Sequence, residues 1–412
     1  MTVQDRAPVG RWVAFRHRGY PAYWTALLLV GFAVQIQTVA IGWQVYDLTR
    51  DPFDLGLVGL SQFAPALLLV LVTGAAADRF SRRGIMCACL VVESCVAAGL
   101  LTYAATLDAT SPTWPIFALI LVFGAGRAFY NPARQSLAPN LVPPEHLSNA
   151  ILANSTANQA ATICGPVVGG LLYGLSPGLP YAVTLVLLLT AAALVLTIPR
   201  QPRQIAVAGA KTWETLSAGF RYIWASKPVL GAISLDLFAV LLGGAMAMLP
   251  VYARDVLEIG PTGLGLLRSA PAVGAIGVGF WLMAHPIRRN AGLIMFLSVA
   301  AFGFFTLVFA LSTTLWLSAL ALLMTGAFDM VSVNLRSVLI QLWTPDALRG
   351  RVNSVNQVFI GASNELGAFR AGTMATLIGP VAAVALGGAA TLAVAALWAR
   401  LFPDLRRVQR LD

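Results

Sequence analysis

The sequence predicts an all-α integral membrane protein in which about twelve helices cross the bilayer as two bundles of six. Of its 412 residues, 58% are hydrophobic and only 11% are charged, which is more apolar surface than a water-soluble fold can bury. The apolar residues fall into long runs, and a spanning helix needs roughly 20 mainly apolar residues. A short segment also recurs about half a chain later, which indicates two related halves.

The apolar runs fall into two sets separated by a polar stretch. The first set covers approximately residues 22–45, 55–77, 85–106, 114–136, 148–174 and 181–198. The second set covers approximately residues 229–253, 262–284, 291–311, 315–341, 353–378 and 380–400. We therefore expect an N-terminal bundle over residues 1–198, a cytoplasmic linker over 199–228 and a C-terminal bundle over 229–412.

The distribution of cations predicts the orientation of these helices. Of the 27 Lys and Arg residues, 20 lie in the termini and the even-numbered loops, against only Arg50 and Arg254 in the odd-numbered loops. By the positive-inside rule both termini and the linker are cytoplasmic. We expect a multi-pass monomer whose surroundings are the lipid bilayer of the bacterial cytoplasmic (inner) membrane. The net charge of +10 follows from this topology, so no nucleic-acid partner is expected.

Motifs for ATP use and for catalysis are missing from the sequence. The only Lys-Thr pair begins at Lys211 and follows Ala210, where a phosphate-binding loop needs a glycine. The three histidines are scattered, and neither an HExxH nor a GxSxG pattern occurs. We therefore expect no enzyme, no cofactor, no metal site and no ATP-driven pump.

The loop between the second and third predicted helices carries a compact motif. It reads GAAADRFSRR, with the pattern G-x-x-x-D-R-x-x-R-R at Gly74, Asp78, Arg79, Arg82 and Arg83. This pattern resembles the loop signature of the major facilitator superfamily. The resemblance implies a twelve-helix transporter fold in which these residues form a gate that holds the cytoplasmic side closed. Arginines placed there only to fix the topology are the alternative.

Two junctions in the chain resemble each other at an offset of 201 residues. The segment NLVPPEHLSNAILANS is similar to QLWTPDALRGRVNSVN, so that Pro144 aligns with Pro345 and Leu147 with Leu348. Repeated halves are expected of a transporter built from related bundles, although chance similarity of two Pro-containing junctions is the alternative. The second half has Met283 where the gate motif of the first half has Asp78.

The fifth predicted helix contains a second family motif. Gly165, Pro166, Gly169 and Gly170 fit the GPxxGG core of the antiporter-type members of the superfamily, with Ala161 where the longer pattern has a glycine. Glycines permit close helix packing and an internal proline bends a helix, so generic packing is the alternative. The resemblance covers the whole chain and extends to the enterobactin-exporter and macrolide-efflux type members, which implies export.

Five charged residues lie inside predicted spans. A charge at mid-bilayer costs roughly 2.5–3.5 kcal/mol, so each needs a partner, a wet cavity or a function. We expect them to serve proton coupling in a central cavity, with Asp236 and Glu365 as the leading proton carriers, because a carrier must change ionisation during the cycle. Structural ion pairs are the alternative, for instance between Asp329 and Arg336. The five are Glu93, Arg127, Asp236, Asp329 and Glu365.

Amide side chains form stripes on the first, fifth and eleventh predicted helices. We expect these stripes to line a water-filled substrate cavity between the halves, whereas interhelical hydrogen bonds without a ligand role are the alternative. The residues are Gln35, Gln37, Asn154, Asn158, Asn353, Gln357 and Asn364.

These observations together predict a secondary active exporter that works by alternating access and proton antiport. Its substrate is expected to be a small amphipathic molecule, such as a siderophore or a drug, and a drug-exporting member of this kind contributes to multidrug resistance. Two alternatives stay open at this point. One is an importer or uniporter of a small metabolite on the same fold, and the other is a membrane sensor or scaffold that does not transport.

Overall fold

A computed structural model describes residues 13–69, 72, 73, 76, 80–106, 111–199, 212–287 and 289–408. Within these residues one helix corresponds to each of the twelve predicted runs. The first six are α1 (Tyr20–Thr49), α2 (Pro52–Leu68), α3 (Arg82–Ala105), α4 (Trp114–Leu137), α5 (Leu147–Leu175) and α6 (Leu179–Thr197). The last six are α7 (Lys227–Gly243), α8 (Gly260–Ala284), α9 (Ala291–Leu311), α10 (Leu315–Trp343), α11 (Asp346–Ile378) and α12 (Pro380–Leu401).

Nine helices in the described part of the chain are long and apolar enough to cross a membrane. The remaining three are α2, which has 17 residues, and the longer helices α5 and α11. The amide stripes make α5 and α11 more polar than their neighbours, which is tolerable because neither helix has to face lipid on all sides. The predicted all-α membrane fold is confirmed.

The helix α7 is irregular where the sequence predicts one continuous span. After Gly243 the chain passes through a 3₁₀ turn (Met246–Met248), a short helix (Leu249–Val251) and a π-helical turn (Tyr252–Val256). Two adjacent glycines and Pro250 explain the interruption, since glycine and proline both weaken a helix interior. The last turn of this segment consequently carries Arg254 and Asp255 back towards α1.

Helix packing in α1–α6 recurs in α7–α12. The helix α1 packs against α5 and α6, α3 against α4 and α6, and α2 against α4. Adding six to each number gives further observed pairs: α7 with α11 and α12, α9 with α10 and α12, and α8 with α10. Two large contacts, α2 with α11 and α5 with α8, join the two sets. This repetition supports the predicted two-bundle organisation, while its residue boundaries stay a prediction.

The two ends of the molecule differ in how their apolar residues pack. We call the end where α1 meets α2 and α7 meets α8 the far end, and the end that bears the linker the linker end. At the far end one buried apolar cluster draws residues from eleven of the twelve helices and from the irregular segment after α7, among them Tyr46, Tyr181, Met248 and Phe309. At the linker end the buried clusters stay within α1–α6 or within α7–α12 and the linker. The halves are thus joined at the far end and apart at the linker end.

The linker contains a helix that the polar composition of residues 199–228 does not reveal. This linker helix (Thr212–Ala225) packs against α11 and α7. At Gly219 a side-chain carbon would lie 2.6 Å from the carbonyl oxygen of Arg351, so only glycine allows this approach of the two backbones. The linker helix is therefore fixed beside the start of α11.

Candidate functional site

The first buried ion pair lies between α7 and α10. Asp236 is 8% exposed and Arg336 is 3% exposed, and the Asp236 carboxylate forms a salt bridge with the Arg336 guanidinium. The alternative weighed for Arg336, a pair with Asp329 on its own helix, is not what the structure contains. Because both charges come from the second half, this pair ties α7 to α10 within one set of helices.

The second buried pair lies between α3 and α4. Glu93 is fully buried, and its Oε1 lies 4.0 Å from Nη1 of Arg127. Arg127 also lies 5.0 Å from the centre of the Tyr130 ring and donates to Oδ1 of Asn131 at 3.3 Å. Within the described residues neither carboxylate oxygen of Glu93 accepts a hydrogen bond. A buried carboxylate with so few partners is costly, which makes Glu93 sensitive to its charge state.

Glu365 lies where the two halves meet. An added Cβ at Gly59 of α2 would lie 2.8 Å from Oε2 of Glu365, so the carboxylate is pressed against α2. Arg268 on α8 acts on this carboxylate electrostatically, without a salt bridge between the two side chains in the described part of the chain. The helix α8 is itself held to α5 by the Ser269 hydroxyl, which donates to the carbonyl of Ile163 at 2.6 Å. Glu365 thus lies beside the α2–α11 contact, and Arg268 lies next to the residue that makes the α5–α8 hydrogen bond. Both charges belong to the second half, and each lies near a contact with the first half.

Asp329 and Arg370 are two further charges within α10 and α11. Asp329 makes neither a salt bridge nor a hydrogen bond with any side chain of the described range. Arg370 donates through Nε to the carbonyl of Leu241 at 3.0 Å and packs its Nη1 against Sδ of Met374. Arg370 thus ties α11 to the end of the regular part of α7.

The amide stripes divide between interhelical ties and exposed positions. Gln35 donates to the hydroxyl of Thr162 at 3.5 Å, Asn154 accepts from the Tyr20 hydroxyl at 3.1 Å and Asn158 accepts from Arg134 at 3.3 Å. Gln37 is 1% exposed, and neither atom of its amide has a hydrogen-bond partner among the described residues. The remaining exposed amides are on α11, namely Asn353, Gln357 and Asn364.

The α5 motif packs against two neighbouring helices at once. Added side-chain carbons at Gly165 and Gly169 would lie 2.6 Å from Cβ of Gln35 and 3.0 Å from Cα of Ile36, both on α1. At Gly170 such a carbon would clash with the carbonyl oxygen of Pro261 at the start of α8. The motif therefore holds α5 against α1 within its own half and against α8 of the other half.

The gate motif is described only in part. Arg82 donates to the carbonyl of Ser136 near the end of α4 at 3.0 Å, and Arg83 donates to the carbonyls of Ile198 and Leu196 at the end of α6. Both arginines thus bind the free carbonyls of helix C-termini, where a cation is favoured by the helix dipole. Gly74, Asp78 and Arg79 lie outside the described residues.

A charge cluster at the far end was not anticipated from the sequence. We define the α1–α7 charge cluster as Asp47, Arg50, Arg254 and Asp255. Arg254 pairs with Asp47, Arg50 lies 3.7 Å from Asp47 and 3.6 Å from Asp255, and the Tyr46 hydroxyl donates to Asp255. The cluster bridges the two halves. Its signal in the sequence is that Arg50 and Arg254 are the only cations of the odd-numbered loops.

The chemistry available to this arrangement is ionic. The described residues contain no group of three or more His, Cys, Asp or Glu side chains close enough to hold a metal ion. The site combines carboxylates whose pairing depends on their ionisation with contacts between the halves. Such a combination is suited to coupling ion movement to a change of conformation.

Twelve helices with a repeated packing pattern and charges at the junction of the halves define a membrane transporter of the major facilitator superfamily. Residues 9–412 match the family described as transmembrane secretion effector. The chain belongs to this family, and it is accordingly a transporter and not an enzyme.

Curated relatives cover almost the entire chain. The enterobactin exporter EntS of Escherichia coli O1:K1 is 26% identical over 411 residues, which is 96% of this chain and 94% of the relative. The same protein from Escherichia coli O81 (strain ED1a) shows the same identity and coverage. The resemblance to the enterobactin-exporter type is thereby confirmed.

Solved transporter structures share the fold at low sequence identity. A point mutant of a peptide transporter POT gives a TM-score of 0.76 at 10% identity and covers 98% of this chain and 100% of that chain. The nucleoside transporter NupG gives 0.70 at 14%, covering 93% and 99%. A bacterial homologue of the human lysosomal transporter Spinster, in an inward-facing and unoccupied conformation, gives 0.70 at 15%, covering 94% and 95%. These likenesses establish the fold alone.

Proposed function

We propose that this protein is a secondary active exporter of the bacterial cytoplasmic membrane that moves a small amphipathic molecule outward in exchange for protons. On the positive-inside assignment the linker end faces the cytoplasm. The separate apolar clusters of that end then correspond to a cavity open to the cytoplasm, and the shared cluster of the far end closes the outer side. This is the conformation in which an exporter takes up its cargo.

The position of Glu365 and Arg268 is the observation that carries the proposal. The two side chains lie beside the two helix contacts that join the halves. Ionised Glu365 can accept hydrogen bonds from a catechol or attract a cationic drug, whereas protonated Glu365 has lost the charge that binds such a cargo. Arg268 favours the ionised form of this carboxylate. Proton and cargo then compete for the same carboxylate, which is the requirement for antiport.

The energy released by one proton is sufficient to drive export of one substrate molecule against a concentration gradient. A proton moving through about 100 mV provides roughly 2.3 kcal/mol, enough for a substrate gradient on the order of fifty-fold. A single titrating carboxylate can therefore support export.

Transport in everted membrane vesicles tests the coupling. Enterobactin and the fluorescent cation ethidium serve as probes, because a siderophore and a hydrophobic drug represent the two cargo classes. We expect vesicles that contain the protein to take up one of them when the lumen is acid, and a protonophore to stop the uptake. Uptake that needs no proton gradient would overturn antiport, and uptake of neither probe under any gradient would overturn the cargo class.

The direction of transport is tested in cells. A deletion strain should retain more of the transported probe than its parent, because an exporter lowers the internal concentration. Lower retention in the deletion strain would identify an importer.

A further inference from the structure

An apolar groove opens on the surface of the helix bundle between α2, α11 and the linker helix. Its volume is about 1210 Å³. We call it the α2–α11 groove, and its walls are formed mainly by Phe63 and Ala66 of α2, Val358 and Phe359 of α11, and Phe220 and Trp224 of the linker helix. The groove lies at the linker end, where the two halves are apart.

Aromatic side chains give the groove a defined wall. The rings of Phe220 and Trp224 stack with their centres 5.9 Å apart, and Phe220 meets Phe359 edge-on at 6.2 Å. Trp224 is 68% exposed and Leu67 on the opposite wall is 51% exposed. A concave apolar surface of this size fits an apolar chain, which would make dispersion contacts along its whole length.

One cation, Arg221, lines this groove, and two more lie next to the linker helix. Arg221 is exposed and forms no salt bridge with any side chain that the structure describes. Lys227 begins the next helix, and Arg351 lies behind the linker helix at the Gly219 contact. Each cation near a membrane surface attracts anionic headgroups by about 1 kcal/mol. The rim is therefore complementary in charge to an anionic lipid whose chain enters the groove.

We propose that the α2–α11 groove binds one acyl chain of an anionic phospholipid of the surrounding leaflet, with the headgroup on Arg221. The helices α2 and α11, which the acyl chain would hold apart at the linker end, are in contact at the far end. An added Cβ at Gly56 would lie 3.0 Å from Cα of Phe369 there, and Thr376 donates to Asp51 at 2.8 Å. Closing the linker end requires α2 and α11 to meet there as well, so the acyl chain has to leave first. The lipid thus favours the conformation open at the linker end, and this second statement rests on the proposed alternating access.

Fluorescence quenching by brominated lipids tests the binding. The protein is reconstituted in phosphatidylcholine that contains a small fraction of brominated phosphatidylglycerol or brominated phosphatidylcholine. The fluorescence of the unmodified protein minus that of Trp224→Phe gives the Trp224 component. The corresponding difference with Trp316→Phe gives the component of Trp316, a control tryptophan at the far end that is 79% exposed. We expect the Trp224 component to prefer brominated phosphatidylglycerol about fivefold, the ratio that corresponds to about 1 kcal/mol. The Trp316 component should show no preference.

Variants of the rim and of the groove identify the site. Arg221→Gln and the groove-filling Ala66→Phe should each abolish the preference at Trp224, whereas Arg406→Gln, which removes another exposed cation of the linker end, should leave it intact. Equal quenching by the two lipids, or a preference that survives Arg221→Gln, would overturn the binding site. Because quenching requires no transport, this result is independent of whether the protein exports anything.

The effect of the lipid on the conformation of the transporter is measured separately. Vesicle uptake by the unmodified protein should slow as phosphatidylglycerol replaces phosphatidylcholine, and uptake by Arg221→Gln should respond less than uptake by Arg406→Gln. An identical response of both variants would overturn the effect on conformation but not the binding of the lipid in the groove.

Discussion

The buried charges of opposite sign differ in where they lie relative to the contacts between the two halves. Asp236–Arg336 and Glu93–Arg127 each join two helices of the same half. Glu365 and Arg268 also come from one half and interact electrostatically without a salt bridge among the described residues, but they lie beside the contacts with the other half. A rocking motion of one half against the other changes the surroundings of the third pair most, so we assign it the main part in coupling.

Replacing the carboxyl group of Glu365 by an amide tests this assignment. Glu365→Gln keeps the shape of the side chain but cannot exchange a proton. We expect proton-driven uptake of the transported probe in everted vesicles to fall to the level of vesicles without the protein. Exchange of labelled for unlabelled probe without a gradient should continue. Glu145→Gln, at an exposed position before α5, should keep both activities, and full proton-driven uptake by Glu365→Gln would contradict the assignment.

The Asp236–Arg336 pair is expected to act mainly on stability. Removing one partner of a buried pair leaves an uncompensated charge and typically costs about 3–5 kcal/mol. Asp236→Asn and Arg336→Gln should therefore each lower the unfolding temperature of the purified protein, and the double variant should recover most of the loss. Additive losses would show that the two side chains act independently. A proton-coupling defect in the stable double variant would return Asp236 to the coupling mechanism.

Sequence reasoning reached the buried carboxylates but not all of their partners. Counting residues along a helix gives the depth of Glu365, because each residue rises 1.5 Å, but it does not tell which neighbour the side chain faces. Arg268 lies within a predicted apolar run, and nothing local in the sequence connects it to a residue 97 positions later. The sequence offers Asp329 on the same helix as one possible partner of Arg336, whereas the packing of α7 against α10 brings Asp236 to it.

At the scale of elements, α5 and α11 have equivalent positions. Each contacts a helix of its own half, α1 or α7, and a helix of the other half, α8 or α2. A helix with this position faces the space between the halves along part of its surface. That position explains the amide residues on both helices and the small residues where they cross a neighbour.

The α5–α8 crossing depends on the absence of a side chain at position 170. Gly170→Leu would force the backbone of α5 away from Pro261, and overpacking of this kind costs about 1–3 kcal/mol. We expect a lower unfolding temperature and slower uptake, because closure of the far end is weakened. Gly277→Leu on α8 is the matched control, since no atom lies within 4 Å of an added carbon there. Equal effects of the two substitutions would exclude a specific role for the crossing.

Helix positions were predictable wherever apolar runs mark them. The predicted fifth helix, 148–174, differs by one residue at each end from Leu147–Leu175. The eleventh begins at Asp346 and not near 353, because Asp346, Arg349 and Arg351 make its first turns polar. Hydropathy likewise gave no sign of the linker helix, whose 14 residues follow an amphipathic pattern and lie beside the bundle.

At the scale of the whole molecule, the far end is held by both apolar and ionic contacts. The α1–α7 charge cluster lies next to the shared apolar cluster, and the Arg254 guanidinium also lies 5.5 Å from the centre of the Trp43 ring. Opening the far end requires these contacts to break together. They therefore set how far the equilibrium favours the conformation described here.

Removal of Arg254 should shift that equilibrium. Arg254→Ala leaves Asp47 and Asp255 facing Arg50 alone, so we expect the far end to open more often. In a variant without the four native cysteines, Ala245→Cys, a position that is 7% exposed, should react faster with a membrane-impermeant thiol reagent added from the outer side. High salt should raise the rate in the parent protein as well, because exposed charges are screened.

A matched substitution separates this effect from a general loss of charge. Arg349→Ala removes the exposed pair with Asp346 at the linker end and should leave the reaction of the thiol introduced at position 245 unchanged. Unchanged reactivity in Arg254→Ala would mean that the apolar cluster alone keeps the far end closed.

The overall architecture was predictable to a considerable degree, but the conformation was not. The repeated junctions and the two sets of six runs predict a pseudo-symmetric bundle, and the packing of α1–α6 does recur in α7–α12. On the proposed alternating access, the same sequence has to form both an arrangement open at the linker end and one open at the far end. Which end is closed is therefore a matter of relative population, and neither hydropathy nor motif spacing reports it.

The shared apolar cluster of the far end also has a thermal consequence. When that end opens, side chains such as Met248 and Phe309 exchange apolar neighbours for water. Wetting apolar surface raises the heat capacity, so the enthalpy of the opening step increases with temperature. On the proposed alternating access, the logarithm of the ratio between molecules open at the far end and molecules open at the linker end then follows a curve against reciprocal temperature. The temperature at which the cell grows would therefore set how often the far end is open.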